Sequence, residues 1–412
     1  LVFPRTDFFR ERAFVNTFFS FFASTRRSAP LLILVALAAV VGAAGCLGDT
    51  DYRPEASGPA GEVTVVVDSA RWNGAVGEAL RETLGRPIMT LPVAEPSFDL
   101  RQIDLTPANL ERVQRHKNIL IAAALTDSSQ EAEFLRQQFS PEARQAIESG
   151  GGTVVPRPDL WRRRQQVFYV AASTPQELAA TIRQRGPALR DTLDSATRRR
   201  AYENMFERGR QVEIEDSLMT RHSFALNVQH DYVLAQDTLF TGVKGRLGGF
   251  VLLVRKLPDT WRRLFVWYKE NADPAQIERD WILSMRDSLA GRYLRGRNDG
   301  AAYSDRRQTI TMQEIDYLAR YAYETRGIWY MSSADTSAGR DSTVRRPLGG
   351  AGPFINYTFY DQQQDRIYMI DGTIFAPDYD KREFLRQMEV IAYTFRTRPE
   401  VAQRRDQQTA ER

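Results

Sequence analysis

Beyond residue 60 the hydrophobic positions switch between a period near two and a period near 3.6, and the switches mark out elements. Glu62–Ser69 (EVTVVVDS) is β-branched and bounded by Gly61 and Asp68, which predicts a strand. Val76, Leu80 and Leu84 give Gly74–Leu84 helical spacing. Ser97–Leu105 alternates imperfectly through Phe98, Leu100, Ile103 and Leu105, as an edge strand does. Thr106-Pro107 is a helix start with proline at the first helical position. Asn118–Leu125 (NILIAAAL) is apolar throughout, the pattern of a central strand buried on both faces. A helix is expected over Ser129–Ser149, stopped by Gly150-Gly151-Gly152, then a strand over Gln165–Ser173. A further helix opens at Thr174-Pro175 and is expected to break at Gly186-Pro187.

From Ala188 to about Ser217 a long charged helix carries Leu189, Leu193, Ala196, Tyr202, Met205 and Phe206 on a narrow stripe, suited to bridging two halves. Strands then dominate: Ser223–Val228, Gly249–Lys256, Leu264–Lys269, Thr309–Tyr317, Gly327–Ser332, Phe354–Tyr360 and Arg366–Phe375. Helices Pro274–Leu289 and Tyr379–Thr394 interrupt and end this run. The fold class read from this order is α+β in two subdomains: a mixed α/β N-terminal half and a C-terminal half with an antiparallel sheet covered by helices on one face. The expected division is a signal segment over 1–45, a flexible tether over 46–60, the N-terminal subdomain over 61–187, the bridging helix over 188–217, the C-terminal subdomain over 218–396 and a disordered tail over 397–412.

The strongest local signal lies before that body. Residues 26–46 read RRSAPLLILVALAAVVGAAGC: two arginines, an apolar run from Leu31 to Val41, small residues, then Cys46. That is a secretory charged region, apolar region and cleavage region in order. The apolar run is short of the roughly 20 residues of a membrane-spanning helix. Ala43, Ala44 and Gly45 before Cys46 resemble the lipobox of bacterial lipoproteins, although Leu is commoner than Ala at the Ala43 position. That resemblance implies a diacylglyceryl group on the Cys46 thiol, cleavage before Cys46 and acylation of the new amine. Cys46 is the only cysteine in the chain. Arg26-Arg27 also resembles a twin-arginine signal, but Ser28-Ala29-Pro30 replaces the apolar residue expected next. The phenylalanine-rich residues 1–25 read as an assigned start upstream of the true signal, with a membrane-surface helix as the alternative. Leu47 after the cysteine, rather than Asp, leans the expectation to the outer membrane. The body is expected to face the periplasm.

Charge changes the picture only after this segment is removed. The 412-residue, 47.0 kDa chain has a formal charge of +4, and residues 1–45 hold five Arg against Asp7 and Glu11. The remaining body is therefore near neutral, which gives no electrostatic case for nucleic acid. Three histidines and one cysteine exclude an internal disulfide and make a built metal site a poor expectation. No nucleophile elbow, zinc-protease motif, P-loop or dinucleotide fingerprint is present. No cofactor is expected.

Three segments carry the candidate chemistry: ETRGIWY (Glu324–Tyr330), GGAGPFINY (Gly349–Tyr357) and GTIFAPDYDKREFLRQME (Gly372–Glu389). Gly349, Gly350 and Gly352 permit close backbone approach and an anion nest, with Arg326 as charge and Trp329 as stacking face. The plainer alternative is a loop feeding a strand, with Trp329 in the core and Arg326 paired to Glu324 or Asp371. Asp380 and Glu383 make a capping-box pattern, Phe384, Met388 and Ile391 face the sheet, and Lys381, Arg382 and Arg386 line an outer face expected to be solvated. The candidate binding surface is Glu324, Arg326, Trp329, Gly349, Gly350, Gly352, Lys381 and Arg382.

These segments, with GEVTVVVDSARWNG (Gly61–Gly74), EPSFDL (Glu95–Leu100) and GGFVLLVRK (Gly248–Lys256), resemble the bacterial lipoprotein family called domain of unknown function 4837, found mainly in Bacteroidetes. The resemblance spans about Gly61 to Thr394. It implies an exported lipoprotein and brings no catalytic or binding residues with it. The function expected is a lipid-anchored envelope module that binds an envelope protein or ligand, its membrane contact made through lipidated Cys46. The alternatives are an envelope hydrolase using carboxylates such as Glu324, Asp371 or Asp378, and a small-ligand-binding lipoprotein. Two carboxylates facing one cleft, with one of them in an apolar wall, would favour the hydrolase.

Overall fold

The computed structural model describes residues 52–243, 245–296, 300–334 and 345–410. Cys46, the signal segment and most of the polar insert after Ser333 lie outside the described residues. The body from Arg53 onward forms one compact unit. It is α+β, with a mixed α/β N-terminal half and an antiparallel C-terminal sheet.

The N-terminal half is a five-stranded sheet between helices. Its strands are β1 (Glu62–Val66), β2 (Asp99–Ile103), β3 (Asn118–Ala124), β4 (Thr153–Pro158) and β5 (Gln166–Ala172), in the order β2-β1-β3-β5-β4. All neighbours pair parallel except β4, which runs antiparallel along β5. Every residue of β3 and β5 is buried, as their unbroken apolar runs require. Helix α1 (Ala75–Thr83) and the long α4 (Pro175–Phe206) cover one face through Val76, Leu80, Leu178 and Ile182. Helices α2 (Gln130–Gln138) and α3 (Pro141–Glu148) cover the other through Leu135 and Ile147.

Several local expectations change here. The single helix expected over Ser129–Ser149 is two, because Ser140 caps a new start and Pro141 occupies its first turn. Thr106-Pro107 opens only the four-residue turn Leu110–Val113. Gly186-Pro187 does not break α4, so no separate bridging helix begins at residue 188. The Thr174–Glu177 capping box fixes its start, and buried Leu178, Ile182, Leu189 and Leu193 hold it on both sides of Pro187. A Cβ on Gly186 would lie 2.4 Å from Thr83 Cγ2, so glycine is what lets α4 press onto α1. Part of the expected tether is docked: Ala56 N–H donates to Arg163 O at 3.0 Å and Ser57 N–H to Arg115 O at 2.7 Å.

The C-terminal half begins at α5 (Val212–His222) and builds an eight-stranded sheet. Its strands are β6 (Val233–Gly242), β7 (Gly245–Lys256), β8 (Trp261–Glu270), β9 (Ala301–Ser304), β10 (Thr311–Tyr317), β11 (Arg320–Ala334), β12 (Arg345–Asp361) and β13 (Arg366–Phe375). The order is β9-β11-β12-β13-β8-β7-β6, with β10 paired to the remaining length of β11. Helix α6 (Arg279–Tyr293) covers one face and α7 (Arg382–Ala392) the other. The sheet is therefore covered on both faces rather than one. Consecutive buried residues such as Leu264–Tyr268 on β8 and Phe354–Phe359 on β12 leave it no apolar-free side to show water. The expected disordered tail contains helix α8 (Arg398–Ala410).

The halves meet along α4 and α7. Arg386 of α7 pairs with Asp194 of α4 at 2.8 Å, and Arg382 pairs with Asp99 of β2 at 2.8 Å. Glu95, from the N-terminal half, accepts the Lys381 N–H at 2.6 Å and the Arg382 N–H at 2.9 Å. It caps α7 in place of Asp380, which makes no such bond and is exposed.

Candidate functional site

The sequence candidates do not converge on one surface. Glu324 and Arg326 lie on the α7 face of β11, where the Arg326 guanidinium pairs with Glu324 at 2.7 Å and with Glu389 of α7 at 2.7 Å. Burial pushes the Glu324 carboxyl up, but Arg326 outweighs it and holds the group below its ordinary value. Trp329 points to the other face, is 5% exposed, and donates its indole N–H to Ile374 O at 3.1 Å. Gly349 and Gly350 are exposed with φ of 79° and 88°, whereas a Cβ on buried Gly352 would meet Ile374 O at 1.9 Å. Lys381, Arg382 and Arg386 form the seam between the halves, not a solvated outer face: Lys381 is buried and donates its Nζ to Tyr379 O at 2.6 Å. The three carboxylates expected of a hydrolase are likewise apart. Asp371 is buried on the α6 face against Arg286 at 2.8 Å, Glu324 is on the opposite face, and Asp378 is in an exposed turn.

A sheet of the N-terminal type places ligands where neighbouring strands leave in opposite directions, at their carboxyl ends. Here that point lies between β1 and β3. It is closed by its own side chains: Arg71 spans it with a two-pronged pair to Asp127 at 2.8 and 2.7 Å, and Ser69 bonds Asp104 through both its N–H and hydroxyl at 2.6 Å. Among the described residues no cluster of His, Cys, Asp or Glu is arranged to hold a metal.

An open concavity lies elsewhere, at a corner of the α6 face of the C-terminal sheet. Strand alternation sends Tyr321 and Tyr323 of β11 and Thr358 and Tyr360 of β12 to that face, while Ala322 and Phe359 point to the α7 side. The turn entering α6, with Pro274 and Ile277, walls one side, and α8 with Glu400 and Gln403 walls another. The resulting groove encloses about 640 Å3, within the range of about 300–1,000 Å3 typical of ligand pockets.

At its floor, Arg320 organises the charges. Its guanidinium donates to Asp361 Oδ2 at 2.7 Å and to Glu400 Oε1 at 2.8 Å. Asp361 Oδ1 accepts the Gln364 N–H at 2.9 Å, and Glu400 Oε2 accepts the Thr397 N–H at 2.7 Å. All four carboxylate oxygens are thus engaged. Burial would lower the Arg320 pKa, but the two carboxylates outweigh it and hold it above its ordinary value. The rim is aromatic: Tyr321 is 61% exposed, its ring edge-on to Tyr323 at 5.6 Å, and the two hydroxyls bond at 3.2 Å. That bond raises the Tyr321 pKa, and a 2.6 Å bond to Asp365 raises that of Tyr360, so these phenols stay neutral.

The groove wall is strained. Tyr317 and Arg320 close the β10–β11 hairpin over Leu318 and Ala319, with φ of 53° and 63°. Positive φ at both positions is the turn that Asn-Gly favours, and each ordinary residue held there costs about 1–2 kcal/mol. The flanks impose it: Tyr317 stacks on Tyr357 at 4.8 Å and bonds Ala392 O, and Arg320 bonds Leu318 O at 3.1 Å.

The sequence reasoning missed this groove, although Tyr321-x-Tyr323 alternating on a strand was a visible signal. Residues 211–394 match the family model described as Domain of unknown function (DUF4837), and residues 56–206 match a second, Domain of unknown function (DUF8532). The C-terminal half is thus similar to the family whose resemblance the motifs carried, and the N-terminal half, to which that resemblance was extended, is similar to another. No curated protein matches the chain.

Proposed function

We propose that this is an exported, lipid-anchored envelope protein whose body is a binding module, held to the outer membrane by lipid on Cys46 and facing the periplasm. The observation that carries the anchor is the placement of the sole cysteine directly after Ala43-Ala44-Gly45 at the end of a secretory-type apolar run. One acyl chain holds a protein at a bilayer only marginally, and the second and third make retention stable.

The geometry of the groove supports binding over hydrolysis. General acid catalysis needs a carboxyl oxygen free to carry a proton to the substrate. Asp361 and Glu400 have all their oxygens engaged by Arg320 and by backbone N–H groups. Glu324, Asp371 and Asp378 do not line the groove.

Expression with labelled palmitate tests the anchor. The wild-type chain is expected to take up label and sediment with membranes, and Cys46→Ser to do neither. Label and sedimentation unchanged in Cys46→Ser would overturn the reading.

A further inference from the structure

We propose that the tyrosine-rimmed groove binds a neutral oligosaccharide, with Tyr321 as the stacking platform and the amides of Gln362, Gln363 and Gln403 as the hydroxyl-reading groups. The proposal rests on the reading of the body as a binding module and names the ligand class of that module.

Charge narrows the ligand first. The groove holds one guanidinium and two carboxylates, and each is already satisfied within the protein. An anionic ligand would face surplus negative charge with no free cation, and a metal cation would find no free carboxylate oxygen. Hydrogen bonding narrows it further. Gln362, Gln363 and Gln403 line the groove and are exposed, and among the described residues their side-chain amides have no hydrogen-bond partner. A primary amide offers two donors and an acceptor, so the three present both kinds together. Adjacent sugar hydroxyls are donor and acceptor at once and use both. A polyproline helix has carbonyl acceptors but no N–H to give, and a quaternary ammonium has neither.

The aromatic rim supplies the remaining requirement. Tyr321 lies 61% exposed beside Tyr323, where burying it against α6 would have been the ordinary fate of a sheet aromatic. A sugar ring carries an apolar C–H face that packs on such a ring while its hydroxyls reach outward. The strained Leu318-Ala319 turn adjoins this rim and fixes the strand on which Tyr321 stands.

The test is calorimetric titration of the full chain, purified from membranes in a detergent without a sugar headgroup. The probes are maltohexaose, cellohexaose, chitohexaose, mannohexaose and xylohexaose, with decaproline and choline beside them. At least one hexasaccharide is expected to bind with a Kd below about 10 mM. Its affinity should fall at least about tenfold in Tyr321→Ala and in Gln362→Ala/Gln403→Ala. It should be unchanged in Tyr379→Ala, an exposed tyrosine outside the groove, and insensitive to added salt. Matched unfolding midpoints for the variants separate lost binding from lost folding. Saturation by none of the five hexasaccharides, or binding untouched by both groove variants, overturns the proposal. Decaproline or choline binding that Tyr321→Ala abolishes overturns the ligand class and leaves the binding-module reading standing. Cleavage of a hexasaccharide during the titration overturns that reading as well.

Discussion

Replacing Glu95 by alanine removes the cap that joins the two halves of the body, and its cost follows from the geometry. The Glu95 side chain is 7% exposed and accepts two backbone N–H groups at the first turn of α7, at 2.6 and 2.9 Å. A hydrogen bond to a charged group contributes about 1.5–3 kcal/mol, and a carboxylate at a helix N-terminus adds about 0.3–1 kcal/mol. Water entering the vacated space recovers part of this, leaving a net loss of about 2–4 kcal/mol. Asp380, the residue local sequence favours as the cap, is exposed and bonds neither N–H, so Asp380→Ala should stay within about 0.5 kcal/mol of wild type. Urea unfolding followed by tryptophan fluorescence reads both variants from one curve shape. Equal midpoints for Glu95→Ala and wild type, or a larger loss in Asp380→Ala, would refute the assignment of the cap.

Three further outcomes are expected. Ala319→Gly should raise stability by up to about 1 kcal/mol in the same assay, because relief of positive φ outweighs the added freedom of the unfolded chain; a loss would mean the turn is unstrained. Arg286→Met leaves Asp371 buried without its cationic partner, with Asn356 as its one remaining side-chain partner among the described residues, and should cost about 3–5 kcal/mol. His222 is buried between Asp237 at 2.9 Å and the Tyr268 hydroxyl at 3.1 Å, and burial, the largest influence, lowers its pKa despite Asp237. The folded chain therefore binds that proton less readily than the unfolded one, and stability should fall as pH drops below about 6.5, the unfolded value. His222→Gln should flatten that fall, which denaturation midpoints measured from pH 7.5 to 5 will show or deny.

What the sequence disclosed and what it hid divide along physical lines. NILIAAAL announced a strand buried on both faces because both faces are apolar, and Thr174 with Glu177 announced a helix start because the capping box is local. Pro187 misled because proline's local penalty was outweighed by packing on both sides of it, and by Gly186 fitting against Thr83. Strand β6 went unread because an exposed edge strand, half polar, has little hydrophobic period to show. The α7 cap was hidden by distance: Glu95 stands 286 positions from Lys381, while the competing Asp380–Glu383 pattern is contiguous. The groove was hidden in the same way, since Arg320 meets Asp361 and Glu400 across 41 and 80 positions. Trp329 and Arg326 attracted notice for their chemistry, but only the register of β11 decides that one enters the core and the other reaches Glu389.

The anchored binding module is tested most directly by mass spectrometry of the N-terminal peptide of the protein taken from native membranes. The account predicts a mature chain that starts at Cys46 and carries diacylglyceryl on its sulfur. A chain that retains Arg26-Arg27, or that starts at Cys46 with a free thiol, contradicts it.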